Sequence, residues 1–297
     1  MSNLNLTKNS NNYYGFSLLE LLIVAVLGLL LLEIVWQSYL SAKKIYHAQN
    51  DLAYLSENMR FADFVLWQNI MQAGFAGCRK ISELNLSNHT GMIVGIRGYS
   101  STHLPDYLFD SDIIKGTDII VIGKASADST SILDNVKRGI TSFLVEKNPT
   151  TEGNRFLLIS DCKNADLFEA KNWGVKKVFS GVELSNFYTR TNAEVRLFEE
   201  LIFFISNTDR MDEKKRPIHS LYFSINRHRK QELIADVTDM QVNYGVDSNG
   251  SYKYLKARDI IDHKLWDRVS DVVIDLKMHS NLLSKHKRLY IKLRERS

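Results

Sequence analysis

The chain has 297 residues, of which 44% are hydrophobic and 24% are charged, proportions typical of a folded protein with a hydrophobic core. Its 15 glycines and 3 prolines exclude a collagen-like or largely disordered chain, and a formal net charge of +4 is too small to indicate nucleic-acid binding by itself. The two cysteines, Cys78 and Cys162, are too few for a structural zinc site, which takes four ligands. Outside the cytoplasm, a disulfide between them is the default expectation.

An apolar run begins at Phe16 and continues to Trp36. It spans roughly 21 residues, about 30 Å at the helical rise, which matches the hydrocarbon core of a bilayer. The first fifteen residues carry one charge, on Lys8, and no small-residue cleavage site follows the run, so a cleavable secretory signal fits poorly. The sequence therefore predicts a transmembrane helix, interrupted by the two acids Glu20 and Glu33.

The two acids need an explanation, because an unpaired acid within a membrane costs about 2.5–3.5 kcal/mol on insertion scales. Glu33 lies near the end of the run, where its carboxylate can reach the lipid headgroups. The same explanation is open for Glu20, but the residues around Glu20 point to a more specific one.

The segment GFSLLELLI (15–23) resembles the prepilin motif of type IV pilins and pseudopilins. In that family a dedicated peptidase cleaves after the glycine, here Gly15, and methylates the new N-terminal residue, here Phe16. The family's glutamate at the fifth mature position corresponds to Glu20. The resemblance therefore implies that the amine of Phe16 pairs with Glu20 of a neighbouring subunit during assembly, which satisfies a charge that lipid leaves unpaired.

The prepilin resemblance and the positive-inside rule predict opposite orientations of the helix in the membrane. The resemblance implies a cytoplasmic leader and a periplasmic body. Lys43 and Lys44 follow the apolar run while only Lys8 precedes it, so the positive-inside rule alone favours the opposite orientation. Our interpretation follows the motif, because it is more specific than three lysines.

The helix is predicted to continue beyond the membrane. Apolar residues recur at spacings of three and four, as on one face of an amphipathic helix; they are Leu52, Leu55, Met59, Ala62, Leu66 and Ile70. No proline falls between residues 16 and 73, and Gly74 and Gly77 provide a C-terminal stop. Two helices with a break near Ser38–Ser41 are the alternative.

The rest of the chain is rich in predicted strands. Runs of β-branched and aromatic residues occur at 117–125, 155–160, 201–206, 220–226 and 271–278. The last run alternates apolar and polar residues, like a half-buried antiparallel strand, and KRLYIKLRER at the C-terminus reads as a charged edge strand. Longer irregular connections are expected at 81–115 and 161–195, and a charged loop at 206–219. The predicted fold class is α+β, a long helix followed by an antiparallel sheet body.

Three body segments resemble the PilW-type minor pilins: QAGFAGC (72–78), SDCKNADLF (160–168) and ELIADVTDMQVNYGVD (232–247). The chain departs from that family at its C-terminus, where LRERS replaces an arginine-asparagine pair. The resemblance implies a type IV pilin-like fold. Its parts would be a leader peptide over 1–15, a transmembrane and filament-core helix over 16–40, an amphipathic continuation over 41–77 and a periplasmic α+β body over 78–297.

The function implied by this resemblance is that of a minor pilin of a type IV pilus, a non-catalytic part of a tip complex that initiates pilus assembly, with roles in twitching motility and cell adhesion. Its partners would be other minor pilins, the major pilin, the prepilin peptidase, the inner-membrane assembly platform and membrane lipid, with no cofactor. Two alternatives share parts of the pattern. One is a pseudopilin of a type II secretion system, and the other is a membrane-tethered periplasmic binding or adhesion domain.

The candidate sites in the body are few. A disulfide between Cys78 and Cys162 would join the helix end to the body, with two free buried thiols as the alternative. Asp247, Asn249 and Ser251 are a weak calcium candidate, because they place oxygen ligands at alternate positions, although a β-turn at Asn249 and Gly250 explains the same residues.

Two basic runs, RHRK (227–230) and KHKR (285–288), raise DNA as a further partner, although charge runs are usually solvated surface. The sequence contains no GxSxG, HExxH, P-loop or GxGxxG motif. It therefore offers no signature of an enzyme, and none is predicted.

Overall fold

A computed structural model describes residues 17–108, 112–150, 154–212, 215–248, 251–280 and 283–293. The chain divides into two compact units, Met1–Asn50 and Asp51–Ser297. Gly15 and Phe16 lie outside the described residues, as does Asn249.

Helix α1 spans Leu18–Met71, so it contributes to both units. The backbone is helical at every position, including 38–41, where a break was the alternative prediction. In the first unit the helix is long and apolar enough to cross a membrane, and none of its most apolar window is buried. The predicted long, apolar N-terminal helix is therefore confirmed.

In the second unit, α1 buries one face. Five of the six residues predicted to form its apolar stripe are buried; they are Leu55, Met59, Ala62, Leu66 and Ile70. The prediction is wrong for Leu52, which is 51% exposed. Leu52 lies about one turn before Leu55, the first helix residue that belongs to the packed core.

The body is built mainly from strands. Those in the described part of the chain are β1 Asn85–Asn88, β2 Gly95–Ser100, β3 Asp118–Ser131, β4 Ser142–Leu144, β5 Phe156–Ser160, β6 Asn164–Glu169, β7 Asn172–Trp173, β8 Lys177–Phe179, β9 Glu194–Met211, β10 Pro217–Ile225, β11 Gln231–Ala235, β12 Val237–Ser248, β13 Ser251–Leu255, β14 Val269–His279 and β15 Ser284–Lys292. A short helix, α2, spans Ala257–His263, and 3₁₀ turns occur at Ile81–Glu83, Asp106–Leu108 and Trp266–Arg268.

These strands form three sheets. The largest has eight strands, in the order β1-β6-β5-β9-β10-β11, with β3 pairing β9 and β2 pairing β3. A second sheet has the order β13-β12-β14-β15, and a small third sheet has the order β4-β8-β7. Among the described strands, every pairing is antiparallel except that of β1 with β6. The predicted edge strand at the C-terminus is confirmed, because β15 is the last strand of this sheet and, within the described ranges, pairs with β14 alone.

The three segments predicted to be irregular contain strands, which corrects the sequence-based expectation. Residues 81–115 include β1 and β2, and residues 161–195 include β6, β7, β8 and the start of β9. The predicted charged loop at 206–219 is shorter than expected, because β9 continues to Met211 and pairs with β10 from Pro217. Hydrogen bonding to a neighbouring strand sustains these segments despite their polar composition.

The main core lies between α1 and two sheets. The α1 stripe packs with Phe203 and Ile205 of the large sheet and with Val242 and Ile274 of the four-stranded sheet. The opposite face of the large sheet has a separate apolar cluster that includes Ile119, Val121, Ile202 and Phe204. The large sheet is therefore apolar on both faces, and only one of them is covered by the helix.

Gly123 in β3 permits a close approach between two backbone segments. A Cβ at this position would overlap the carbonyl oxygen of Ile93. That segment cannot easily move, because the Ile93 N–H donates to Glu200 Oε2 at 2.6 Å. We expect Gly123→Ala to lower the free energy of unfolding by about 1–3 kcal/mol, the usual cost of overpacking.

Urea unfolding of the variant measures this effect. Gly174→Ala is the matched control, because a Cβ at Gly174 meets no atom within 4 Å. Equal losses for the two variants would contradict the proposed close approach.

Candidate functional site

Glu20 lies in the first turn of α1 and is exposed, as are its helical neighbours. Ser17 caps this turn, with its Oγ accepting a hydrogen bond from the Leu19 N–H at 3.3 Å. An acid is electrostatically favourable at a helix N-terminus, where the macrodipole is positive. The side chain of Glu20 makes no hydrogen bond or ion pair with another described residue, so it is open to a partner.

Glu33, the second acid of the apolar helix, differs from Glu20 in this respect. Its Oε1 accepts a hydrogen bond from Gln37 Nε2 at 3.3 Å, one helical turn further along. Glu33 therefore has a polar partner within its own helix. The structure thus adds a second difference between the two acids, which the sequence already separates by their positions in the apolar run.

The QAGFAGC segment docks the end of the helix onto the body. Gly74 adopts a left-handed conformation with φ of 74°, and its N–H donates to the Gly123 carbonyl at 2.9 Å. Cys78 and Cys162 form a disulfide with their Cα atoms 5.6 Å apart, and no cysteine is free. The disulfide is present as predicted, and it joins the segment after α1 to the turn between β5 and β6.

The SDCKNADLF segment also supplies a buried carboxylate. The side chain of Asp166 is fully buried. Its oxygens accept hydrogen bonds from Tyr188 Oη at 2.7 Å, from the Ser185 N–H at 2.9 Å and from the Asn186 N–H at 3.2 Å. Burial alone would raise the pKa of Asp166, but these hydrogen bonds outweigh it and hold the pKa below its usual value.

A serine, a histidine and an aspartate meet at this position without forming a catalytic relay. His89 Nε2 lies 3.2 Å from Asp166 Oδ1 and 3.5 Å from Ser185 Oγ. A Ser-His-Asp triad engages both ring nitrogens, one with the aspartate and the other with the serine. Because both contacts here involve Nε2, the cluster has the geometry of a structural hydrogen-bond network.

Asp166 is expected to make the fold sensitive to acid. Because its pKa is lower in the folded protein, its stabilising contribution is complete above the unfolded-state pKa of about 4 and is lost as the pH falls through the folded pKa. We expect Asp166→Asn to lower the free energy of unfolding by about 1–3 kcal/mol at neutral pH, with a smaller difference from wild type in acid.

Unfolding by urea at a series of pH values between neutrality and about 2.5 tests this expectation. The exposed Asp134 provides the matched Asp134→Asn control. A wild-type advantage over Asp166→Asn that stayed constant down to the lowest pH would contradict the assignment.

An ion pair between a buried carboxylate and a partly exposed arginine links the large sheet to the β10–β11 turn. The Glu200 side chain is fully buried and its Oε1 lies 2.6 Å from Arg227 Nε, while Arg227 Nη2 donates to Oε2 at 3.0 Å. These hydrogen bonds hold the pKa of Arg227 above its usual value. Sequence reasoning missed this pair, although an acid within the apolar run RLFEELIFFI was a signal that could have revealed it.

The two basic runs that raised DNA as a partner are extensively paired with acids. In the first run, Lys230 Nζ lies 3.0 Å from Asp112, in addition to the Arg227–Glu200 pair. In the second run, Arg288 Nε lies 2.7 Å from Asp275, and Lys287 pairs with an acid of α1. Much of the positive charge is therefore neutralised within the protein itself.

The calcium candidate is only partly described. Asp247 and Ser251 are exposed residues at the adjoining ends of β12 and β13, whose pairing extends to Ser248 and Ser251. That pairing fits the predicted turn, although Asn249 is outside the described residues. Across the described ranges, no three His, Cys, Asp or Glu side chains converge in a way that could hold a metal ion.

No protein-family model, curated protein or solved structure matches this chain. The resemblance to prepilins and PilW-type proteins therefore stays a prediction from the quoted motifs. The structure shows three features that are compatible with this prediction. They are an exposed apolar helix with an acid in its first turn, a disulfide after the helix, and a body made mostly of β-strands.

Proposed function

We propose that the protein is a minor pilin of a type IV pilus, of the PilW type, and that it acts without catalysis. Its leader is removed after Gly15 and its body faces the periplasm. With other minor pilins and the major pilin it forms a complex that primes assembly on the inner-membrane platform and then occupies the filament tip.

The observation that carries this proposal is Glu20 in the first turn of an exposed apolar helix. In lipid this carboxylate costs about 2.5–3.5 kcal/mol when it has no partner. The cationic N-terminal amine of a neighbouring processed subunit would provide one. The acid therefore favours a subunit in the assembly over a subunit alone in the bilayer.

Two features of the body support the periplasmic and tip assignments. A structural disulfide is typical of an oxidising compartment, and the periplasm is one. The body is also large, since the second compact unit runs from Asp51 to Ser297. A bulky body is hard to repeat along a tightly packed shaft, whereas a filament tip has room for it.

Deletion of the gene, followed by complementation, tests the proposal. Surface filaments and secreted exoproteins are counted for the deletion strain and for strains carrying wild type, Glu20→Ala or Glu33→Ala. We expect filaments to be lost and secretion to be intact in the deletion. Wild type and Glu33→Ala should restore filaments, because Glu33 has a partner in its own helix and serves as the matched control.

The Glu20→Ala protein should be processed but absent from filaments. Mass spectrometry of its N-terminus tests the processing, and immunodetection of a tagged Glu20→Ala protein in sheared pili, in a strain that also carries the wild-type copy so that filaments form, tests the incorporation. If the Glu20→Ala protein were incorporated into filaments at the wild-type level, the proposed role of Glu20 in assembly would be wrong. Loss of secretion with intact filaments would assign the protein to a type II secretion system instead. If the deletion changed neither filaments nor secretion, and the genome held no redundant copy of the gene, the protein would instead be a membrane-tethered binding or adhesion domain.

A further inference from the structure

The segment ELNLS (83–87), which leads into β1, matches a modification motif. Asn85 is followed two positions later by Ser87, and Asn-x-Ser/Thr is the acceptor motif for N-linked glycosylation of exported proteins. Bacterial oligosaccharyltransferases also require an acid two positions before the asparagine, and Glu83 occupies that position. The segment therefore contains all three residue types that such a transferase recognises.

The acid separates ELNLS from most other triplets of the same kind in the chain. Three further Asn-x-Ser/Thr triplets without proline at x begin at Asn5, Asn88 and Asn249. Of these three, the triplet at Asn249 also has an acid two positions earlier, Asp247. Asn5 and Asn249 lie outside the described residues, so the structure bears on Asn85 and Asn88, and of these two only Asn85 has the acid.

Asn85 has the accessibility that the modification needs. It is the exposed first residue of β1, an outer strand of the large sheet. Its backbone N–H donates to the Lys163 carbonyl at 2.9 Å, whereas its side-chain Nδ2 makes only a long hydrogen bond of 3.3 Å to Asn164 Oδ1. The adjacent Cys162 and Lys163 are exposed as well. A group attached to Nδ2 would therefore extend into solvent.

Asn88 differs from Asn85, because its amide is used within a closed turn. Its Oδ1 accepts hydrogen bonds from the Thr90 N–H at 3.0 Å and from Thr90 Oγ1 at 2.9 Å. Its Nδ2 donates to the Met92 carbonyl at 2.8 Å. Asn88 is therefore an internal comparison: a neighbouring triplet that lacks the acid and whose amide is engaged.

We propose that Asn85 bears an N-linked oligosaccharide in the exported protein. In the transfer, Nδ2 attacks C1 of the first sugar of a polyprenyl-pyrophosphate-linked oligosaccharide. The new C1–N bond replaces the C1–O bond to the pyrophosphate, which leaves with that electron pair, and the amide gives one proton to a base of the transferase. One N–H remains on Nδ2, which suffices for the hydrogen bond to Asn164.

The oligosaccharide would protect an edge of the large sheet. In the described part of the chain β1 pairs with β6 alone, so its other edge has no partner strand. Such an edge is a template for pairing with another chain, and a bulky hydrophilic group at Asn85 would obstruct that pairing. The inference rests on the periplasmic location of the body in the proposed function, but not on filament assembly.

Mass spectrometry of the full-length protein, isolated from the membranes and pili of its own host, tests the proposal. Trypsin releases the peptide 81–97, which contains both Asn85 and Asn88, and fragmentation assigns any added sugar to one of them. We expect the sugar on Asn85 and an unmodified Asn88.

Four variants expressed in the same host identify the recognised residues. Asn85→Gln should abolish the modification, and Asn88→Gln should retain it. Glu83→Gln should lower the modified fraction at least about tenfold, since it removes a charged group that the transferase binds. Glu83→Asp is the matched control, because it keeps the acid and should be modified like wild type.

Three results would overturn the proposal: an unmodified peptide 81–97 in the wild-type protein, a sugar on Asn88 instead of Asn85, or equal modification of wild type and Glu83→Gln. Thiol labelling of the same samples shows how the failure arose. An unmodified protein with an oxidised Cys78–Cys162 pair has been exported, so the glycosylation proposal alone is wrong. An unmodified protein with reduced cysteines would refute the periplasmic location as well.

Discussion

Replacing both Cys78 and Cys162 by serine is expected to lower the free energy of unfolding by about 4–5 kcal/mol. The bond joins residues 84 positions apart, and closing a long loop removes conformational entropy from the unfolded chain in the chain-entropy model. Both cysteines are exposed, so the substitution leaves no cavity in the core. The expected loss therefore comes almost entirely from the unfolded state.

Urea unfolding of wild type with and without reductant, and of the double serine variant, measures this loss. Reductant should lower the stability of wild type to that of the variant and should leave the variant unchanged. The exposed position of the bond lets reductant reach it in the folded protein. Two thiols that react with a labelling reagent in native, unreduced wild type would refute the disulfide and with it the prediction.

Glu200→Ala should lower the free energy of unfolding by about 2–4 kcal/mol. This is less than the loss of about 3–5 kcal/mol expected for breaking a fully buried ion pair, because the Arg227 side chain is 30% exposed and water can solvate its charge. The substitution leaves the Arg227 guanidinium without its carboxylate. It also leaves the Ile93 N–H without the acceptor that now lies 2.6 Å away. The buried side-chain volume is lost as well, and each of these effects acts in the same direction.

Two further variants separate these contributions when all are compared by urea unfolding. Glu200→Gln retains an oxygen acceptor and most of the volume, so its loss should be smaller than that of the alanine variant. Glu169→Ala removes an exposed glutamate from β6 and should change stability by no more than about 0.5 kcal/mol. A Glu200→Ala loss as small as that of Glu169→Ala would show that the pair does not stabilise the fold.

The periodic features of the chain could be predicted well. The spacing of Leu55, Met59 and Ala62 placed one face of α1 in the core, and the alternation in 271–278 identified the inward residues of β14, such as Ile274. Such patterns repeat the geometry of a helix or a strand, so they are readable from sequence alone. Leu52 fits the same pattern but is exposed, because a pattern does not state where the covering sheets begin.

The irregular features could not be predicted. The segments 81–115 and 161–195 are polar enough to resemble loops, yet hydrogen bonds to distant strands order parts of both. Asp166 falls within a segment predicted to be irregular, and Glu200 directly precedes a predicted strand. Their burial depends on donors that are remote in the chain, such as Tyr188 and Arg227, and no local pattern encodes that proximity.

The sequence by itself therefore determined the parts of this protein that depend on local composition: an apolar helix of membrane-spanning length, Glu20 near its start, an amphipathic continuation and a body of strands. Only the tertiary structure decided how distant segments meet, including the donors that surround the buried carboxylates of Asp166 and Glu200. The physical reason is that helix and strand periodicity is written in neighbouring residues. Ion pairs and hydrogen-bond networks, in contrast, form when chain closure brings together residues that carry no signal of one another.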